Sequence, residues 1–391
     1  SIKNQIMPPQ SSETSLLEEL GAVHTANEIN AQPDLWMEIY GQITADREKI
    51  GSYISGSLPG TSRIILTGAG TSAFIGLSLA PLFNRSFKVH TDSVATTDLL
   101  SYPENYFNDN ESIILVSFAR SGNSPESTAV TELADKLCKR CIHLIITCDG
   151  KGRLANYQTQ SEKLVILLPP SSNDKGLAMT GSYSGMLLCG ILIARLNEID
   201  SLGKQIRMLH DYGKKILSDY SEKIRKIASV DFKRAVFLGS GPFFGTATES
   251  HLKLQELTDG IIICKNETYL GFRHGPKAVT DENTLVVFIF SNNPYVWQYE
   301  RDLVLSMKKG RKPLCTIGVF ETAADGLEFD LGISLSDSGN HLDEIFLTVC
   351  NVIPAQLLGY FKSLALGLRP DNPSKSGAIS RVVEDVNIYK F

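Results

Sequence analysis

The chain has 391 residues, 42% hydrophobic and 21% charged, with a formal net charge of −5, the balance of an ordinary globular protein of two or three domains. That charge leaves no electrostatic footprint for nucleic acid. No uninterrupted apolar run reaches the roughly 18 residues of a membrane span, so neither nucleic acid nor a membrane is an expected partner. The seven cysteines are odd in number and scattered through apolar runs. Cys138 and Cys141 have C-x-x-C spacing without a second pair, so the set reads as reduced core thiols of a cytoplasmic protein.

The first residues carry no basic segment followed by an apolar stretch, so no secretory leader is expected. Residues 1–14 are polar and contain proline, and read as irregular. Thr25 and Glu28 have the form of a capping box. Pro33 suits a helix start, followed by an apolar stripe of Leu35, Trp36, Ile39, Tyr40 and Ile43. Helices over about 14–56 are expected to cover part of the first domain.

From 63 to 200 strand and helix alternate, with strands expected at 63–67, 87–91, 112–118, 141–147 and 163–168 and a last helix over about 180–198. Such βα units predict a parallel sheet flanked by helices, with ligands beyond the carboxyl ends of the strands. The first unit, Arg63-Ile-Ile-Leu-Thr-Gly-Ala-Gly-Thr-Ser72, is a buried strand, a glycine turn and a helix start. Gly68 and Gly70 permit the turn, and Thr71 and Ser72 add hydroxyls at a helix N-terminus, which attracts anions.

The order then returns. Arg63–Gly70 is echoed by Arg234–Gly241, Ile113–Ser117 by Leu285–Ile289, Cys141–Thr147 by Pro313–Val319, and Val165–Leu168 by Gly332–Leu335. Four matches at nearly one offset indicate two copies of an α/β domain, joined by a charged helical stretch near 201–230. The expected division is an N-terminal helical segment 1–50, a first domain 51–215 and a second domain 216–391 with a C-terminal tail. The second copy has Pro242, Phe243 and Phe244 where the first has Thr71 and Ser72, so the anion belongs to the first copy.

A second loop in the first copy, Phe118-Ala-Arg-Ser-Gly-Asn-Ser-Pro125, brings Ser121 and Ser124 to the same strand ends, with Pro125 near a helix start. Two hydroxyl-bearing loops suit a phosphate monoester; the alternative is that the serines only cap helices. Arg120 adds charge there or lies in solvent. Gly68, Gly70 and Ala73, with Asp92 about 20 residues on, also fit a dinucleotide fingerprint. That motif leaves the serine loop and the repeat unexplained, and no cofactor is expected.

In the second copy Glu249, Lys253 and Glu256 fall on one helix face; on spacing alone this is an exposed salt-bridged stripe. His274 precedes Gly-Pro at a loop-to-helix junction, a good place to present an imidazole or simply a structural one. A long apolar helix over 342–367 precedes the polar stretch Leu368–Gly377, which is either disordered or folded over a pocket with Lys375. The seven histidines are far apart in the sequence, and no metal is expected.

ILTGAGTSAFIG, SFARSGNSPES, ESHLKLQE and GFRHGPK together resemble the double sugar-isomerase (SIS) domain proteins, over about residues 50–391. Within them the chain is most similar to the tagatose-6-phosphate ketose/aldose isomerase type, regarded as galactosamine-6-phosphate deaminase/isomerase. The resemblance implies two tandem SIS domains, each a five-stranded parallel sheet flanked by helices in a flavodoxin-like three-layer arrangement. It puts the phosphate contacts on Ser72, Ser121 and Ser124, beside Gly70 and Thr71 of the first turn, with Arg120 where the isomerase half of glucosamine-6-phosphate synthase, a related double SIS protein, has glutamine and Ala119 in place of a serine. It makes Glu256 the proton-shuttling base and His274 the ring-opening acid/base, given by a neighbouring subunit of a homodimer or larger assembly. Lys253 and Lys375 fall on the family's two lysines, and Met179 stands where the synthase has a serine. The implied reaction turns galactosamine 6-phosphate into tagatose 6-phosphate and ammonia. Glucosamine 6-phosphate as substrate, isomerisation without deamination, and a non-catalytic phosphosugar sensor are the alternatives.

Overall fold

The computed structural model describes residues 11–322 and 326–391. Of the stretch 1–14 expected to be irregular, residues 1–10 lie outside the described residues. From Ser11 the chain is helical, over Ser11–Glu19.

The first copy supplies β1 (Arg63–Thr67), β2 (His90–Ser93), β3 (Ser112–Ala119), β4 (Arg140–Thr147) and β5 (Lys163–Leu167). They form one five-stranded sheet in the order β2-β1-β3-β4-β5, and every pair is parallel. The second copy supplies β6 (Arg234–Gly239), β7 (Ile263–Glu267), β8 (Thr284–Ile289), β9 (Cys315–Phe320) and β10 (Leu331–Ser334). Read backwards, β10-β9-β8-β6-β7 is the same order, again all parallel. This is the flavodoxin-like order and not that of a dinucleotide-binding half. Asp92, the residue a nucleotide ribose would need, forms an ion pair with Arg63 at 3.6 Å and lies 3.1 Å from His90 Nε2.

Strand register refines the repeat. Arg63 faces Ile113 and Arg234 faces Thr284, so Ile113 corresponds to Thr284, one residue earlier than the sequence match with Leu285. β2 also begins three residues later than the apolar run suggested, because Phe87 closes the preceding helix, Thr71–Phe87.

Apolar strands explain both cores. Ile65, Leu115 and Cys141 pack with Leu99, Phe107 and Val130 on the first sheet. On the second, Val236, Phe288 and Phe290 pack with Tyr269, Phe272 and Leu303. All seven cysteines are free, and burial pushes the Cys138 thiol up to about 11 and those of Cys148 and Cys315 to about 12, which leaves them unreactive.

The chain separates into two compact units that interleave along the sequence. One consists of Asp34–Asp174, Gly181–Lys204 and Ser380–Phe391 around the first sheet. The other consists of residues 11–33, Lys175–Thr180 and the described part of Gln205–Ile379 around the second. The early helices are therefore divided. Trp36 donates to Ser184 Oγ at 3.0 Å and Tyr53 to the His143 carbonyl at 2.8 Å within the first-sheet unit, whereas residues up to 33 group with the second sheet, contrary to the expectation that all of them cover the first domain.

Pro33 does not begin a helix; it lies inside Val23–Ala45. Nor do Thr25 and Glu28 form a capping box. Asp371 accepts from the His24 N–H at 3.1 Å and from the Thr25 N–H and hydroxyl at 2.7 Å each. Glu28 instead accepts from the Gly176 N–H at 3.2 Å. The stretch Leu368–Gly377 is thus folded. The Asp371 N–H donates to the Gly21 carbonyl, its carbonyl accepts from the Leu177 N–H, and Arg369 donates to the Glu19 carbonyl at 2.9 Å.

Among the described residues one helical stretch, Glu344–Ala365, is long and apolar enough by length and composition to cross a membrane, which the sequence expectation missed. The protein buries 89% of its most apolar window. It is broken into Glu344–Cys350 and Ile353–Ala365 at Asn351–Val352 and serves as core.

Candidate active site

In the first-sheet unit the turn after β1 is set by sterics. A Cβ on Gly68 would lie 2.6 Å from the Ser72 carbonyl carbon, so only glycine lets the strand meet the helix this closely. Gly70 has φ +57° and caps helix Thr71–Phe87, a conformation open to glycine. Thr71 and Ser72 are 5% and 4% exposed in its first turn.

The second loop follows β3. Arg120 and Ser121 are buried, which removes the solvated-arginine alternative. Arg120 Nη2 donates to the Arg381 carbonyl at 2.7 Å. Ser121 Oγ accepts from the Asn123 N–H at 3.2 Å, and the Leu154 N–H donates to Gly122, so neighbouring backbone holds the loop. Ser124 sits at the cap position of helix Pro125–Leu137, yet its side chain makes no cap hydrogen bond. Simple capping therefore does not account for Ser124. This unit gathers Gly70, Thr71 and Ser72 after β1, and Arg120, Ser121 and Ser124 after β3, at the carboxyl ends of adjacent parallel strands.

In the second-sheet unit the same turn recurs: a Cβ on Gly239 would lie 2.2 Å from the Phe243 carbonyl oxygen, and Gly241 has φ +54°. Helix Phe243–Leu257 follows, with Pro242 at its cap position. Its polar face is not an exposed stripe. Glu249 and Lys253 have no side-chain exposure and Glu256 has 17%. Lys253 Nζ lies 3.2 Å from Glu249 Oε1 and is also ion-paired with Glu256. Burial alone would lower the lysine's proton affinity; the Glu249 and Glu256 carboxylates outweigh it, and the net direction is upward. The burial comes from helix Ile353–Ala365, whose Gly359 approaches so closely that a Cβ would meet Leu257 Cδ1 at 2.8 Å and the Lys253 carbonyl at 2.9 Å. Spacing alone could not register that a second helix covers the face.

His274 follows the short helix Tyr269–Phe272, capped by Thr268, which accepts from the Gly271 N–H at 3.0 Å. Tyr269 and Phe272 are fully buried and anchor the junction. Gly275, at φ +116°, turns the chain into the 3₁₀ segment Pro276–Val279, leaving the imidazole exposed. Lys375 is likewise exposed, on the stretch that Asp371 ties down. Met179 is 9% exposed in the 175–180 segment of the same unit.

Where the first copy presents hydroxyls, the second presents its own carboxylates. The Ser291 N–H, just beyond β8, donates to Glu300 Oε2 at 2.9 Å, and Ser291 Oγ donates to Glu344 at 2.6 Å. Beyond β9, Glu321 accepts from the Leu342 N–H, Tyr212 and Asn292. Burial pushes Glu300 up to about 7 from an ordinary 4.5; hydrogen bonds from Ser291 and Ser240 oppose the shift and Glu344 adds to it. A carboxyl raised by folding contributes stability that is full below 4.5 and lost as pH rises through about 7, a swing of about 3 kcal/mol. Glu300→Gln is expected to flatten that dependence, raising the melting temperature relative to the parent more at pH 8 than at pH 5. Parallel melting curves at both pH values would contradict this.

Among the described residues one group brings three metal-ligating atoms within 4.8 Å: Asp135, Cys141 and His143, which the sequence reading did not foresee. Both Asp135 oxygens already accept hydrogen bonds, from His143 and Ser161 on one and Tyr157 and Thr159 on the other. Burial would raise this carboxyl, but those four donors hold it well below the usual carboxylate range. The group is a structural knot near the start of β4, away from the strand ends that carry the site.

Residues 58–194 match the SIS domain model. The chain is 38% identical over 380 residues to the D-galactosamine-6-phosphate deaminase AgaS of Shewanella sp. (strain ANA-3), covering 96% of this chain and 94% of that one. The chain belongs to the SIS domain family, in its AgaS group. Two crystal structures share its form. One from Clostridium novyi NT superposes with a TM-score of 0.94 at 39% identity over 100% of both chains. The tagatose-6-phosphate ketose/aldose isomerase from Escherichia coli does so with a TM-score of 0.85 at 33% identity, over 94% of this chain and 96% of that one. Sequence reading assigned no site role to three residues of this SIS protein: Glu249, Asp371 and Arg381. Glu249 was visible on the helix face without its burial. The other two act through contacts far along the chain, which leave no local signal.

Proposed function

We propose that the protein converts galactosamine 6-phosphate to tagatose 6-phosphate and ammonia. The observation that carries this reading is the 38% identity, over nearly the whole chain, to a protein named for that deamination. In this scheme the turn Gly70-Thr71-Ser72 and the loop residues Arg120, Ser121 and Ser124 hold the substrate phosphate, and binding energy there orients the reacting end. The buried carboxylates of the second copy, which occupy its equivalent strand ends, support a single phosphate site per chain.

His274 opens the sugar ring, taking the proton of the anomeric hydroxyl and returning one to the ring oxygen. It acts from a neighbouring subunit of a homodimer or larger assembly. Glu256 takes the proton from C2 and delivers it to C1. The C2 amine becomes an imine, and water replaces it, releasing ammonia and the ketose phosphate. Lys253 orients the Glu256 carboxylate, and Lys375 offers a cation to the anionic intermediate.

The test is ammonia release from galactosamine 6-phosphate and glucosamine 6-phosphate side by side. Release from the first alone is expected. Release from neither, with interconversion of tagatose 6-phosphate and its aldose isomer, would favour plain isomerisation, the reading suggested by the E. coli neighbour's name.

A further inference from the structure

The residues after Ser380 follow the second copy in sequence but group with the first sheet. Arg381 explains how. Its Nε donates to the Asp174 carbonyl at 3.0 Å and its Nη2 to Asn173 Oδ1 at 3.0 Å, a two-point grip that a planar guanidinium makes and a single ammonium does not. Its own carbonyl accepts from Arg120 Nη2 at 2.7 Å. Asp174, 1% exposed, accepts the Ser182 N–H at 2.9 Å with its side chain and so holds the first turn of helix Gly181–Ala194. One line of hydrogen bonds therefore runs from the helix start, through residues 173–174 and the tail guanidinium, to the tail backbone and the arginine of the loop after β3.

We propose that Arg381 is a positioning residue of the phosphate site: its grip on Asn173 and Asp174 places the carbonyl that aims Arg120. This rests on the assignment of Arg120 to the substrate phosphate made above. An arginine side chain loses about 2 kcal/mol of rotamer freedom when held. A carbonyl on one of its five N–H donors removes part of that freedom before the ligand arrives. Without it, the Arg120 guanidinium loses one of the contacts that fix its direction before the phosphate arrives, and affinity falls while the chemistry at the other end of the sugar is untouched.

The test compares Arg381→Ala, Arg120→Ala, their double variant and Ser72→Ala in the full-length protein. It measures KM and kcat for the amino-sugar phosphate and the inhibition constant of inorganic phosphate. Arg381→Ala is expected to raise KM and the phosphate inhibition constant together, by about tenfold, with kcat within about twofold. In the Arg120→Ala background the same change should add almost nothing, the mark of two residues acting through one interaction. Asn173→Ala, which removes one of the acceptors, should move both constants in the same direction by less and guards against a poorly folded tail variant.

An Arg381→Ala effect that persists undiminished without Arg120, or an unchanged phosphate constant in Arg381→Ala, overturns the proposal. If Ser72→Ala weakens phosphate binding and Arg120→Ala does not, the phosphate site stands and the role of Arg381 falls. If neither weakens it, the phosphate assignment fails and takes the role of Arg381 with it.

Discussion

Glu256→Gln is expected to lower ammonia release by at least 10²–10⁴-fold, roughly what proton transfer by a placed side chain supplies, while inorganic phosphate and substrate still bind. The substitution keeps the shape of the side chain and an oxygen that can accept from Lys253, but removes the base. Lys253 keeps its partner Glu249 at 3.2 Å, so the helix is not left with a buried unpaired cation and the fold should hold. Single-turnover ammonia assays beside phosphate-inhibition measurements separate the two effects. Turnover within tenfold of the parent would remove Glu256 from the mechanism. The shared-site arrangement has its own signature: the inactive Glu256→Gln and His274→Ala proteins, mixed and allowed to exchange subunits, should regain part of the activity.

The second large effect concerns stability. Lys253→Met takes away the cation that faces Glu249 and Glu256 in a fully buried position. Breaking a buried pair by removing one partner costs about 3–5 kcal/mol, on the order of 10 °C in melting temperature for a domain this size. Activity should fall as well, because the Glu256 carboxylate loses the ammonium that orients it. The double variant Glu249→Gln/Lys253→Met removes the stranded charge and should recover much of the stability but little of the activity. If the double variant is no more stable than Lys253→Met, the destabilisation does not arise from an uncompensated charge. Thermal melts of the three proteins decide it.

The strands were legible in the sequence because parallel sheets bury both faces, and buried strands such as RIILT and SIILVSF stand out as short apolar runs. The turns were legible because Gly68 and Gly239 meet backbone that tolerates no side chain. What escaped were features made by residues far apart in the chain. Thr25 and Glu28 satisfy a local capping pattern, but a carboxylate from residue 371 takes the cap position. Glu249, Lys253 and Glu256 satisfy the spacing of a solvent-facing stripe until Gly359 lets another helix cover them. The unbroken apolar pattern of 342–367 hides a break at Asn351. In each case a local rule described the segment correctly in isolation, and tertiary packing changed its surroundings.

The Asp371 cap has a consequence for synthesis of the chain. The helix Val23–Ala45 leaves the ribosome 346 residues before the carboxylate that satisfies its first amides, and residues 380–391, part of the first-sheet unit, come later still. At 5–20 residues per second the delay is roughly 20–70 s. Neither unit can be completed before residues 371–391 have emerged, so a nascent chain stalled before residue 371 should expose the start of that helix to proteases and chaperones, and protection should come only once that segment has been made.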